Sequence, residues 1–255
     1  MENGPIKIEK NDFVIICGPC AIEGHDQLEK ILSSEYQPKF IRGGIYKMRS
    51  SKNSFQGLGQ EAISIVRSLK KKYGFTFVAE VTDPRQIDSY FDVVDIFQVG
   101  ARNMYNYELL KDLAKLNRTV VLKRAFSATI NEWLGAAEYL NELDQEKIIL
   151  CERGIRSFDN KLRNMLDLGS VIYLKRNTNY KVFVDPSHAM GDRNYILDAS
   201  YAALAAGADG LLVEVHPEPE KALSDGQQSI TIPMLNEMIT KISNIAINFD
   251  KQVKV

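Results

Sequence analysis

Cys20, His188, Glu214 and Asp225 are of the types that bind divalent cations. A thiolate, an imidazole and two carboxylates make a mixed-ligand set that can stay open to substrate or water. Each has a plainer reading when taken alone. Cys20 reads as an inert buried thiol, His188 as a loop histidine, and Glu214 and Asp225 as surface acids. Their positions argue for the set. Cys20, His188 and Glu214 each close or follow a short β-rich apolar run, and Asp225 lies 11 positions after Glu214.

A second set is cationic. Arg42, Lys47, Arg49, Arg102, Lys123, Arg124 and Arg153 all fall at or just after such runs. Seven like charges on one rim repel one another unless an anion is present. Scattered surface ion pairs are the alternative for any one of them. As a group they suit a phosphate-bearing small molecule, which arginine forks grip bidentately. A third pattern, Cys17-Gly-Pro-Cys20, has the C-x-x-C spacing of a redox dithiol. Here Cys17 falls inside an apolar run, which predicts a packed side chain and argues against a dithiol role.

The elements that must position these residues are legible from the apolar pattern. The predicted strands are Phe13–Cys17, Phe40–Gly43, Phe75–Glu80, Asp95–Val99, Thr119–Arg124, Lys147–Cys151, Lys181–Asp185 and Gly210–Val215. They are near-continuous apolar runs, as expected of parallel strands buried on both faces. Amphipathic stretches lie among them, including Leu58–Tyr73, Asn106–Leu116, Thr129–Leu143 and Asn194–Ala206, with a closing helix at Pro233–Ile247. Eight strand–helix units in 255 residues predict a (β/α)₈ TIM barrel, whose chemistry sits at the carboxyl ends of the strands. A doubly wound sheet is the alternative, but neither a G-x-G-x-x-G nor a G-x-x-x-x-G-K-[ST] follows any strand. Pro5–Glu9 is expected to form a short strand closing the barrel bottom. No Pro/Gly/Ser-rich linker interrupts the chain, so residues 1–255 are read as a single domain.

Composition excludes several classes. The 28.8 kDa chain is 45% hydrophobic and 25% charged, an ordinary globular balance. Its 32 basic and 33 acidic residues leave a net charge of −1, which gives no global attraction to nucleic acid or anionic membrane. No apolar run reaches the length of a spanning helix, about 20 residues. The charged start lacks a secretory signal, and three cysteines make no disulfide framework. A cytoplasmic protein is expected.

The motifs GPCAIEG, RGGIYKMRSSKNSFQGLG, AEVTDP, QVGARNMYNYELL, LKRAFSATINEWLGAAEYL, CERGIR, VDPSHAMG and VEVHPEPEKALSDG run from Phe13 to Met234. Together the chain resembles the class I 3-deoxy-D-arabino-heptulosonate-7-phosphate (DAHP) synthases, in the short metal-dependent branch related to 3-deoxy-octulosonate-8-phosphate synthase. That resemblance implies a (β/α)₈ barrel and condensation of phosphoenolpyruvate with erythrose 4-phosphate at the head of the shikimate pathway. It implies that Cys20, His188, Glu214 and Asp225 hold a divalent ion (Mn2+, with Fe2+, Co2+ or Zn2+ as alternatives). Arg102, Lys123 and Arg153 would bind phosphoenolpyruvate through its phosphate, with Lys47 near its carboxylate and reacting carbons. Arg42 would sit in the same pocket, and Arg49 and Ser50 would take the aldose phosphate. Lys47, Cys20 and His188 are the expected catalytic residues, and the resemblance further implies a homo-oligomer, tetramer or dimer. The octulosonate reaction on arabinose 5-phosphate is the alternative. The single residue between Lys47 and Arg49 favours the heptulosonate side, as does the 26-residue gap from His188 to Glu214. Met48 replaces the family's usual proline, Ala125 a glycine, and Asp192 a common basic residue, which bears on the acceptor. A first barrel strand near residue 12 and only Asn248–Val255 after the last helix lead us to expect no appended regulatory domain.

Overall fold

The computed structural model describes residues 8–48 and 51–255. In chain order the elements are β1 (Asp12–Gly18), α1 (His25–Leu32), β2 (Phe40–Arg42), α2 (Gln60–Tyr73), β3 (Thr76–Glu80), α3 (Ile87–Tyr90), β4 (Ile96–Val99), α4 (Tyr107–Ala114) and β5 (Thr119–Lys123). They continue with α5 (Ile130–Glu138), β6 (Ile148–Glu152), α6 (Leu168–Asn177), β7 (Lys181–Val184), α7 (Pro186–Met190), α8 (Ile196–Ala205), β8 (Gly210–Glu214), α9 (Ile232–Ala246) and β9 (Gln252–Lys254). The eight expected strands are all present, within two residues of their predicted limits.

Strands β1 to β8 pair in parallel in sequence order, and β8 returns to β1, so the sheet closes into a (β/α)₈ barrel. Only Cys17↔Ile41 joins β1 to β2. Below that point the two strands splay, and β9 occupies the gap, pairing in parallel with β1 while the Lys39 N–H donates to the Val255 carbonyl (2.9 Å). Among the described residues, the extra strand at this end is C-terminal. Of the segment Pro5–Glu9 expected there, residues 5–7 lie outside the described residues, and Ile8 and Glu9 are not in a strand. Ile8 still closes the barrel bottom, but as a side chain packed among the interior residues.

Two apolar layers hold the barrel. Val14, Ile16, Val78, Ile96, Val121, Ile149, Cys151, Phe183 and Leu212 fill its interior. The alternate strand residues join the inward faces of the helices in a larger outer layer, the parity that pleating imposes. Helix starts are set locally. Thr129 and Glu132 form a reciprocal capping box at α5, and Thr231 Oγ1 accepts the Met234 N–H ahead of α9. The stretch predicted as Thr129–Leu143 ends its helix at Glu138; residues 139–143 tighten into successive i→i+3 turns. No helix among the described residues is long and apolar enough to cross a membrane.

Candidate active site

Continuing the interior parity by one more inward position on each strand reaches Arg42, Glu80, Gln98, Lys123, Arg153, Asp185 and Glu214. Two positions below each of these lies an apolar barrel residue. The same step on β1 reaches Gly18, whose φ is +145° and whose Cβ, were there one, would lie 2.1 Å from the Arg42 carbonyl oxygen. Glycine is therefore required for β1 and β2 to converge, which brings Cys20 into the ring.

A cavity of ≈ 200 Å³ opens above this ring, and its lining includes Arg42, Lys47, Arg102, Lys123, Arg153 and Arg163. Arg42 is buried, with Nε and Nη1 lacking a hydrogen-bond partner and Nη2 3.1 Å from Glu214 Oε1. An unsatisfied buried guanidinium is costly and marks a place where an anion is wanted. Lys123 Nζ donates to Asp185 Oδ2 (2.5 Å). Burial works against the Asp185 charge, but His188, Lys123 and Arg42 hold its carboxyl well below the usual carboxylate range. Arg102 and Arg153 stack on the Phe126 ring at 5.7 and 4.7 Å, and Arg156 does so from outside the cavity at 5.2 Å. The ring offsets part of the mutual repulsion of these cations. Lys47 Nζ donates to the Cys20 carbonyl (3.2 Å). Burial opposes its charge, yet the negative surroundings, Glu80 and Glu214 among them, keep its pKa above the ordinary lysine value, so at neutral pH it is an ammonium group.

Of the seven cations expected at the rim, Arg124 is the exception. It neighbours Lys123, so it points to the other face of the sheet. There it pairs with Glu152 (3.0 Å) and Asp167 (2.8 Å) and donates to the Ala128 carbonyl (2.9 Å). It is a structural residue beneath α5 and α6. Arg49 and Ser50, expected to bind the aldose phosphate, lie outside the described residues.

Next to Arg42 and Lys47, the ligand atoms of Cys20, Glu214 and Asp225 all lie within 4.8 Å of one another. Cys20 Sγ is 3.1 Å from both Asp225 Oδ2 and Ser224 Oγ. His188 is not within that mutual spacing. It adjoins the group through Glu214, with Nε2 3.6 Å from Oε1, while its Nδ1 lies 2.7 Å from Asp185 Oδ2. With a carboxylate this close to Nδ1, Nε2 is the ring nitrogen turned toward the group. Pro186 and the Asp185 side chain, which accepts the His188 N–H (2.9 Å), start the short helix α7 that lifts this ring. Asp225 adopts a left-handed conformation (φ 53°) in the loop after β8, which is uncommon for a residue with a side chain.

The donor set suits a divalent cation. Glu214 Oε1 is buried without a hydrogen-bond partner. Burial would raise the Glu214 carboxyl, but His188 and Arg42 lower it, and burial in turn depresses His188. Both groups are thus in the form that coordinates metal. The Cys20 thiol is pushed up to about 12 by burial and by Glu214. It keeps its proton until a cation displaces it. Cys17, also pushed up to about 12 by burial, lies in the outer apolar layer, and all three cysteines are free, in line with the packed position expected.

The other rim residues are accounted for by packing. His216 Nδ1 accepts the Glu218 N–H (3.0 Å) and its Nε2 lies 3.3 Å from Glu23, which also accepts the Leu223 N–H (2.9 Å). This stitches the loop carrying Asp225 to the loop carrying Cys20. Asp192 accepts the Asn194 N–H ahead of the turn that starts α8, and Ala125 is buried with its N–H on Met104 Sδ. Met48 lines the cavity. Sequence reasoning missed Phe126, Arg163 and Gln228. Phe126 lies two residues past Arg124, but the other two sit in loops that strand parity does not reach.

Fold and site together define a barrel enzyme for small phosphorylated anions with a place for a divalent cation beside them. A profile of the DAHP synthetase I family matches residues 2–248. The chain is 43% identical over 245 residues to a phospho-2-dehydro-3-deoxyheptonate aldolase of Thermotoga maritima, covering 95% of this chain and 72% of that one. A crystal structure of the Thermotoga maritima DAHP synthase superposes with a TM-score of 0.93 at 42% identity, over 98% of this chain and 74% of that one. A 2-dehydro-3-deoxyphosphooctonate aldolase of Thioalkalivibrio sulfidiphilus is 26% identical, over 92% and 90% of the two chains. The chain belongs to the DAHP synthetase I family.

Proposed function

We propose that this barrel is a metal-dependent DAHP synthase that condenses phosphoenolpyruvate with erythrose 4-phosphate, releasing DAHP and inorganic phosphate. The observation that carries the reading is the buried Arg42 guanidinium, with Nε and Nη1 unpartnered, between a cluster of cations and the Cys20–Glu214–Asp225 group. Arg102, Lys123 and Arg153 take the phosphate of phosphoenolpyruvate, and Arg42 and Lys47 face its carboxylate. These charges offset those of the substrate and stabilise phosphate as it leaves. The new bond joins C3 of phosphoenolpyruvate to the aldehyde carbon, water adds at C2, and the C–O bond to phosphate breaks. The ammonium of Lys47 gives a proton to the former aldehyde oxygen. A divalent cation on Cys20, His188, Glu214 and Asp225 would supply Lewis acidity toward that oxygen or orient the water. Manganese is the ion we favour, with iron, cobalt or zinc accepted by the same donors. Arg49 and Ser50 are assigned to the acceptor phosphate by their motif.

The same reading takes the protein as a cytoplasmic homo-oligomer, a dimer or tetramer, whose mass in solution light scattering measures. Its central test is phosphate release from phosphoenolpyruvate with manganese, comparing erythrose 4-phosphate with arabinose 5-phosphate, with and without EDTA. Release with erythrose 4-phosphate that chelation abolishes is expected. Preference for arabinose 5-phosphate would transfer the chain to the octulosonate reaction.

A further inference from the structure

The loop that leaves β8 does not drift away from it. Residues 215 and 230 pair as an isolated parallel bridge, and the Ile230 N–H donates to the Glu214 carbonyl (2.9 Å). The returning segment lays Gln228 over Glu214. Gln228 is 2% exposed, and its Nε2 donates to Glu214 Oε2 at 2.5 Å. On its other side, its Oε1 accepts from Arg163 Nη1.

The direction of this relay follows from chemistry. A guanidinium has only donors and a carboxylate only acceptors, so an amide between them has one satisfactory orientation. Arg163 turns the Gln228 oxygen toward itself, which turns the Gln228 nitrogen toward Glu214. The two oxygens of Glu214 are then unequal. Oε2 is tethered by a hydrogen bond, and Oε1 lies between His188 Nε2 (3.6 Å) and the Arg42 guanidinium (3.1 Å) in ion-pair contact without a hydrogen bond of its own. Gln228 also shapes the neighbouring ligand, since its N–H donates to the Asp225 carbonyl (3.3 Å) across the turn that follows Asp225.

We infer that Gln228 is a positioning residue that holds the Glu214 carboxylate in the orientation needed for divalent-cation binding, with Arg163 locking its amide. The inference rests on the reading of Cys20, His188, Glu214 and Asp225 as the metal ligands. Outer partners of this kind set ligand orientation and tune metal affinity.

The test is Gln228→Met, which keeps length and apolar volume and removes both hydrogen bonds. Manganese affinity of the purified metal-free protein is measured from the electron paramagnetic resonance signal of free Mn2+. Cobalt-substituted protein is examined by visible absorption, which reports coordination geometry. We expect the manganese Kd to rise about 10- to 100-fold and the cobalt bands to change in position or intensity. Should Gln228→Met not fold, as judged by circular dichroism, Gln228→Asn is read in the same way, because its shorter arm reaches only one of the two partners. A Kd within twofold of the parent with superimposable cobalt spectra overturns the inference, even if the melting temperature falls, since Gln228 then only satisfies a buried carboxylate. A parent protein that binds no manganese removes the ligand assignment itself and the positioning role with it, an outcome read separately from the variants.

Discussion

The Cys20 thiol donates to Asp225 Oδ2 at 3.1 Å, joining two loops whose residues are 205 positions apart in the chain. The contact is made at the β1–β8 seam where the barrel closes. It places a proton where the donor set would place a cation. Burial and the neighbouring carboxylates push the thiol up to about 12, so the metal-free protein carries that proton throughout the range from pH 6 to 9. Binding as thiolate must release it. Metal affinity should therefore rise with pH, by about one unit of log Kd per pH unit. Manganese titrations at several pH values check this, and a flat profile excludes thiolate ligation.

Removing the thiol should abolish turnover without unfolding the barrel. Cys20 is a small side chain at the upper edge of the core, and Cys20→Ala leaves the helix and strand contacts in place. We expect manganese-stimulated phosphate release to fall at least about 100-fold with an unchanged circular dichroism spectrum. Activity retained by Cys20→Ala after chelation would contradict the assignment.

Arg124 and Arg102 should separate stability from substrate use. Arg124 is buried against Glu152, which is fully buried as well, so Arg124→Met strands a carboxylate and should cost about 3–5 kcal/mol. Arg102 is an exposed residue at the cavity wall, beside Phe126. Arg102→Met should change stability by about 0.5 kcal/mol or less, yet lower kcat/KM for phosphoenolpyruvate about 100-fold. Urea unfolding and steady-state kinetics on both variants distinguish the two roles.

That pair also shows how far the sequence could be read. The apolar runs predicted all eight strands because parallel strands buried on both faces leave a continuous hydrophobic signature. The strand ends predicted which residues gather at the rim, including Arg42, Lys123, Arg153 and Glu214. Treating every strand-end cation as a rim residue put Arg124 in the wrong place, although pleating alone sends neighbours such as Lys123 and Arg124 to opposite faces. The same parity reaches Asp185, whose carboxylate joins Lys123 to His188. Loop residues were harder. Arg163 and Gln228 reach the site because the loops after β6 and β8 fold back over the barrel, and no local periodicity records that return. The C-terminal strand β9 had no sequence expectation, because the splay between β1 and β2 that makes room for it is a property of closure and not of either segment.

Phe126 offers a final test of how the cations tolerate one another. Its ring lies beneath the Arg102 and Arg153 guanidiniums, and burial lowers the pKa of Arg153 from its ordinary value. An aromatic face gives each cation about 0.5–2 kcal/mol of stabilisation and fixes its plane toward the cavity. Phe126→Leu keeps apolar bulk and removes the face. The phosphate-binding arginines then lose their preset orientation before substrate arrives, which weakens ground-state and transition-state binding alike. We expect KM for phosphoenolpyruvate to rise about 5- to 20-fold with kcat changed less than about threefold. Steady-state kinetics at saturating acceptor and manganese check this. A fall in kcat with unchanged KM would show instead that the ring acts on the chemical step.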